Sequence, residues 1–438
     1  MRGDAGHTRE VRLTFQTKLT IIVGAQLALM ACTDSGAEGS STDSNSSDTQ
    51  TEFFGTDDEG WTSTESGGPA ETSETSETET TGEPDPCEDP EPGVVCFNGG
   101  GFFNVGIPAT TLLVDDFNAD GIEDLMVSSI SAQGLRVVEG LGGGDFAAET
   151  LSSSVAVGIR GLASGDFDLD ELTDIAIANV FAPAGTGIAF GDGSGTYESP
   201  PFASTGMTPR ALAVGLVNAD EWPDVLVADE EGGAVFIMLN DGLGTPTVGE
   251  SVAVGPEPYD LDLADLDDDG FLDLVTVDRT EGAMTVSWGL GDGTFEAPSF
   301  EPVGTGPRAM SLADVDMDGL VDLLSADYED ATISVVRNLG ERSFAAADTY
   351  AVGPAPYAVL ATDVSGDGRP DLVSANSGDT SVSVLPSLDE GFGSPEEFYV
   401  GPGPFDLETA DFDRDGRSDL AVAVMGEAYV AIMLTTGN

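Results

Sequence analysis

The sequence predicts an all-β protein, a seven-bladed β-propeller closed by an N-terminal strand and preceded by a disordered tether. Three observations carry this. An acid-rich decapeptide recurs seven times, beginning at residues 116, 166, 216, 265, 314, 363 and 411, with a spacing of 48 to 50 residues. Each unit so defined reads as four short strands, and a four-stranded unit repeated around an axis is the propeller pattern. The chain stops at "YVAIMLTTGN", one strand short of a complete last unit, while "NGGGFFNVG" (98–106) supplies an unpaired strand at the other end.

The unit around residue 265 shows how the strands are read. "LDLAD" (261–265) alternates apolar and polar residues before the acidic loop, and "LVTV" (274–277) follows it as a β-branched apolar run. "AMTVSWGL" (283–290) is a third strand leading into the glycine-rich turn "GDGTF", and "EAPSFEPVG" runs back toward the next unit. No stretch combines helix caps with a 3.6-residue apolar period. Joining "NGGGFFNVG" to the last unit completes seven blades and removes the open sheet edge.

Ahead of the propeller (97–438) the sequence predicts two further segments. Residues 1–31 form an export leader: Arg2, Arg9, Arg12 and Lys18 precede the apolar run "LTIIVGAQLALMA", which is short for a bilayer span. It ends in "LMAC", which resembles a bacterial lipobox with Cys32 as the lipidated residue. Residues 32–96 are then a Ser/Thr/Glu-rich acidic linker that cannot bury enough apolar surface to fold. Cys87 and Cys96 remain as an even pair for one disulfide in an oxidising, extracytoplasmic compartment. The expected location is the cell envelope, at the outer membrane or cell surface.

Composition narrows the chemistry. With 80 acids against 14 bases the net charge is −66, and the only His (His7) and only Lys (Lys18) lie in the leader. A nucleic-acid partner is excluded, since no basic patch exists to replace counterions. Ser–His–Asp, Cys–His and Schiff-base catalysis are closed as well. The expectation is a non-catalytic, monomeric protein. The competing reading is an envelope polysaccharide hydrolase or lyase using carboxylates on the rim.

The recurring loop is most complete in "DLDDDGFLDL" (265–274). Asp265, Asp267 and Asp269 can converge on a hard cation, the carbonyl of Phe271 can add a neutral ligand, and Gly270 permits the sharp turn. A helix–loop–helix calcium site would need a glutamate at position 12, where Thr276 stands. Asp273, at the start of the next strand, can close the shell instead. Three other loops keep three acids and the ninth-position Asp, namely Asp314, Asp316, Asp318 with Asp322; Asp411, Asp413, Asp415 with Asp419; and Asp166, Asp168, Asp170 with Asp174. The last of these has Glu171 in place of glycine, which strains its turn. The first loop offers Asp116, Asn118, Asp120 and Asp124, and the sixth Asp363, Ser365, Asp367 and Asp371. The third has Leu216 and Glu221 at the first-ligand and glycine positions. Five good cation sites, one marginal and one empty are expected, with a structural role for the metal.

The D-x-D-x-D-G-x-x-D loops, "GDGxF" turns and following "VGxxP" segments together resemble the FG-GAP/VCBS repeat family, which includes the calcium-containing propeller of integrin α subunits. The resemblance spans roughly 97–438. It implies the propeller, Ca²⁺ in the acidic loops, and a role in adhesion or interaction through a protein or glycan ligand.

The ligand-binding face expected from the sequence is the rim opposite the acidic loops. Four residues after each "VGxxP" glycine stand Thr110, Arg210, Tyr259, Arg308, Tyr357 and Phe405, with Arg160 nearby in the shorter second unit. Arg and aromatic residues are common binding anchors. The loops between second and third strands add Asn179, Asp229, Asp278, Asp327 and Asn376 to the same rim.

Overall fold

A computed structural model of the chain describes residues 93–242 and 246–436, and among these every regular element is a β-strand. The expected leader, Cys32, most of the tether and Cys87 lie outside the described residues. Seven antiparallel sheets follow one another in chain order, each with its strands in sequence order except the last, whose outer strand is the first of the chain. The strand that leads into each acidic loop is innermost. In blades 3 to 7 these inner strands are Pro209–Gly215, Pro258–Ala264, Pro307–Ala313, Pro356–Thr362 and Pro404–Ala410. Each begins with a proline three residues after a glycine, in "VGxxP" for blades 4 to 7 and "TGMTP" for blade 3, and bulges after it, as between Pro258 and Asp260.

The second strand of each blade is buried along its whole length, as in Asp273–Asp278 and Asp322–Asp327. Apolar faces of adjacent blades pack against each other, so the core forms a set of wedges between blades. Phe103, Phe146 and Phe412 bridge blades 7 and 1 in this way, with ring centroids 5.1 and 5.5 Å apart.

Blade 7 is completed from the N-terminus. Phe97–Asn104 pairs antiparallel with Tyr429–Thr435, Phe102 opposite Ala431 and Asn104 opposite Tyr429. Glycine is required in this strand: a Cβ on Gly100, whose φ is +84°, would stand 2.1 Å from the carbonyl oxygen of Ile432. Cys96, just ahead, is buried and disulfide-bonded.

One blade departs from the four-stranded expectation. Blade 2 holds only Ile159–Gly165, Asp174–Asn179 and Gly185–Ala189, and its fourth strand is reduced to a bridge between Thr186 and Ala203. The cause lies in "SPPFA": Pro200 and Pro201 have no N–H to give a ladder.

Candidate metal centres and the channel plug

The seven acidic loops join inner to second strands and share one rim. In six of them the first Asp organises the backbone. Asp265 accepts the amides of Asp269 (3.1 Å) and Gly270 (2.9 Å), and Asp314, Asp363 and Asp411 do the same at their positions. The fifth residue accepts the amide of the seventh, Asp269 from Phe271 at 2.9 Å. These bonds gather carboxylates that would otherwise repel one another.

Two backbone positions of the loop take left-handed conformations. The sixth is the glycine expected from sequence, with φ of +88° at Gly270 and +93° at Gly319. The fourth is a position that sequence reasoning missed, with φ of +59° at Ala119, +61° at Asp268, +61° at Met317 and +62° at Arg414. Its occupants share no side-chain chemistry, so no residue-type signal marks it. Glu171 adopts φ +69° in the second loop, the strain expected of it. The third loop, with Leu216 in place of Asp, lacks the bonds made by the first residue and keeps that from Trp222 to Asp220 at 3.0 Å, and neither Ala219 nor Glu221 is left-handed there.

Three carboxylates meet within 4.8 Å in four loops: Asp166, Asp168 and Asp174; Asp265, Asp267 and Asp269; Asp314, Asp316 and Asp322; Asp411, Asp413 and Asp419. The loop expected to be marginal is among them, so Glu171 strains the backbone without dispersing the acids. The first and sixth loops assemble no such trio of acids, because Asn118 and Ser365 replace a carboxylate. Clustered anionic oxygens with no nitrogen or sulfur donor are the ligand set of a hard divalent cation. Arginines reach two of these loops. Arg342, from the next blade, lies 2.5 Å from Asp267 and 3.5 Å from Asp269, and Arg337, within the same blade, lies 3.4 Å from Asp316.

The ninth-position Asp has a second duty that the sequence did not reveal. Asp322 accepts the amide of Val315 at 3.1 Å through one oxygen and that of Asn338 at 2.8 Å through the other. Asp124, Asp174, Asp273, Asp371 and Asp419 repeat this clamp between the loop and the turn after the third strand. In the third blade, whose loop is irregular, Asp224 keeps only the bond from Asn240, at 2.9 Å, and its other oxygen has no partner. Burial lifts these carboxyls, Asp124 to about 7 and Asp273, Asp322 and Asp419 to about 6.

The residues expected to form an open binding rim do converge, at the channel end opposite the acidic loops, but they fill it. Arg210, Tyr259, Tyr357, Phe405 and Thr110 are all buried. The Arg210 guanidinium stacks 3.1 Å from the Tyr259 ring centroid and donates to the Tyr259 carbonyl at 2.9 Å. The Tyr259 and Tyr357 hydroxyls are 2.6 Å apart, Arg308 donates to the Tyr259 hydroxyl at 3.0 Å, and Phe405 stacks on Tyr357 at 3.8 Å. Glu230 pairs with Arg160 at 2.6 Å and with Arg210 at 3.5 Å. These side chains are long enough to meet across the axis, so they satisfy one another and present little surface to a ligand.

The loops between second and third strands also turn inward. Asp229 accepts the amides of Met207 and Thr208, Asp278 those of Glu257, Thr280 and Glu281, and Asp327 the hydroxyls of Ser325, Thr332 and Ser334. Asn179 donates to the carbonyls of Phe181 and Pro183, and Asn376 to the Ser383 hydroxyl. This explains the glycine of "VGxxP": a Cβ on Gly206, Gly255 or Gly304 would fall 2.2 to 2.4 Å from the side chain of Asp229, Asp278 or Asp327.

A closed ring of antiparallel blades with acid-lined, backbone-organised loops at a fixed repeat defines a repeat propeller built around candidate cation sites. The chain belongs to the FG-GAP-like repeat family, whose pattern matches residues 116–177, 217–276, 265–325, 314–374 and 363–422, more than half of its length. No curated protein matches the sequence. Solved structures share its fold at low identity. The crystal structure of BBS1N in complex with ARL6DN is 15% identical, with a TM-score of 0.53 over 77% of this chain and 98% of that one. The periplasmic gluconolactonase PpgL of Pseudomonas aeruginosa is 13% identical, with a TM-score of 0.51 over 70% of this chain and 97% of that one. Virginiamycin B lyase of Staphylococcus aureus is 14% identical, with a TM-score of 0.50 over 78% and 98%.

Proposed function

We propose that the protein is a non-catalytic interaction module of the bacterial envelope, lipid-anchored through Cys32, extracytoplasmic and monomeric. Its propeller is stabilised by Ca²⁺ and binds a protein or carbohydrate ligand. The observation that carries the metal part is the gathering of three carboxylates in four equivalent loops. Metal-free, each such loop holds net negative charge, even where Arg342 or Arg337 reaches it, and Ca²⁺ would relieve it through the trio together with the carbonyl of the seventh residue, such as Phe271. At a Kd of ~10⁻⁴ M and free calcium of ~1 mM, each site adds roughly 1.4 kcal/mol.

The non-catalytic part is supported by side-chain chemistry. Beyond the leader there is no His or Lys, and the acids of the loops recur with the fold rather than standing apart from it. The burial of Tyr259, Tyr357 and Arg210 shifts the binding surface away from the channel mouth. Thermal unfolding with and without chelator tests the proposal: calcium should raise Tm in a concentration-dependent way and chelation should lower it. An unchanged Tm on chelation refutes the structural role of the metal.

A further inference from the structure

We propose that the cleft between blades 5 and 6, on the rim that carries the acidic loops, binds a neutral saccharide. The site rests on reading the protein as a binding module and deepens it by naming a place and a ligand class.

The cleft has a volume of about 780 Å³, two to three times that of other grooves between blades, which hold about 280 to 390 Å³. That is the size range of small-ligand sites. Two departures from the repeat open it. At the junction of blades 4 and 5, Trp288 stacks on Phe344 with ring centroids 6.3 Å apart. Arg342 spans the same groove to Asp267 at 2.5 Å and Glu296 at 3.3 Å. One repeat further on, Arg337 stands where Trp288 stood, and its guanidinium turns aside to Asp316 and Asp348. The facing turn is also one residue shorter: its flanking bridge joins Ser387 to Phe392, against Asn338 to Phe344 in the closed groove. No side chain in the shorter turn replaces Arg342. The groove therefore stays open where its neighbour is bridged.

Its chemistry suits hydroxyl groups above free charges. Arg337 sits beside two carboxylates, and Arg369 donates to the Leu388 carbonyl and to Asp389, each at 3.0 Å. Guanidinium and carboxylate side by side offer a donor and an acceptor together, which is what vicinal hydroxyls require. Apolar surface lies between these pairs. Tyr350 and Phe392 meet edge to face at 5.3 Å, and Met317 and Leu388 are 59% and 52% exposed. The C–H face of a pyranose packs on such surface. Four acids line the cleft against two arginines, on a chain of net charge −66, which disfavours phosphate, sulfate and uronate ligands.

The test is an array of neutral, uronate and sulfated glycans together with a Lys-rich decapeptide, probed with the full chain in calcium. Wild type is compared with Leu388→Trp and Arg369→Ala, and with Leu339→Trp as a control in the bridged groove. Both cleft variants should bind a neutral oligosaccharide at least about tenfold more weakly at unchanged Tm, and Leu339→Trp should bind like wild type. Neutral-glycan binding that ignores Leu388→Trp and Arg369→Ala overturns the location. A preference for anionic glycans or for the peptide, or binding to nothing on the array, overturns the ligand class. The calcium-dependent rise in Tm, measured on the same samples, separates the two levels. If it persists without glycan binding, only the cleft falls; if it is absent, the wider reading falls too.

Discussion

Tyr259→Phe separates a packed plug from a ligand anchor. The substitution keeps the ring under the Arg210 guanidinium and the carbonyl that Arg210 bonds, and deletes one buried oxygen. That oxygen is 2.6 Å from the Tyr357 hydroxyl and accepts from Arg308 at 3.0 Å. A hydrogen bond between neutral groups contributes about 1 kcal/mol and one to a charged donor about 1.5–3 kcal/mol, the larger part arising from the partner left unsatisfied. No longer having to desolvate the Tyr259 hydroxyl offsets some of this, which leaves a loss of about 2–3 kcal/mol. Urea unfolding in saturating calcium, followed by fluorescence, should show a lower midpoint at unchanged slope. Tyr259→Ala should lose about 3–5 kcal/mol, since it also opens a cavity beneath Arg210. A cost below about 0.5 kcal/mol for Tyr259→Phe would mean that water satisfies the hydroxyl and the plug is open, and the reasoning would fail.

Four other outcomes follow from the structure. Asp322→Ala orphans the amides of Val315 and Asn338 and removes a carboxylate from a cluster, so it should lower stability and also shrink the calcium-induced rise in Tm. Asp224→Ala, in the blade whose loop lacks the first Asp, should lose about 1–2 kcal/mol with the calcium response intact. Asp262, whose carboxyl burial pushes to about 7 and whose Oδ2 has no partner, penalises the fold increasingly as pH rises from about 4 toward 7. Asp262→Asn should therefore raise Tm at pH 8, by at most about 4 kcal/mol of stability, and leave it unchanged at pH 4; an equal gain at both would contradict the assignment. Gly100→Ala drives a Cβ into the Ile432 carbonyl and should cost about 3 kcal/mol or more, read as faster hydrogen exchange across Tyr429–Thr435.

The architecture was legible because it is written seven times. One acidic loop is ambiguous, but the fixed spacing of Asp265, Asp314 and Asp363 set the blade count, and the overhang at both ends set the closure. What the sequence concealed was the destination of long side chains. Position in the repeat told that Tyr259, Arg308 and Tyr357 stand near the channel mouth, yet whether such residues point outward or interlock depends on the channel's width. That width is set by the inner strands of all seven blades together. The clamp role of Asp322 was hidden for another reason. A single carboxylate can ligate a cation and cap two amides, and spacing alone does not distinguish these uses. The open cleft was obscured because it arises from differences between copies, Arg337 for Trp288 and one missing turn residue, where the repeat argument attends to likeness.

The strand Phe97–Asn104 has a consequence for the order of assembly. Its partner, Tyr429–Thr435, lies more than three hundred residues downstream. During synthesis this glycine-rich strand emerges ahead of the blades and waits, while six blades can fold in turn on their own local pairings. Only when the last strand arrives can the ring latch, and until then both of its ends are exposed sheet edges open to other chains. A chain truncated anywhere before residue 429 would therefore lose more than one blade's contacts. It would remain an unlatched arc, prone to pair edge to edge with its neighbours.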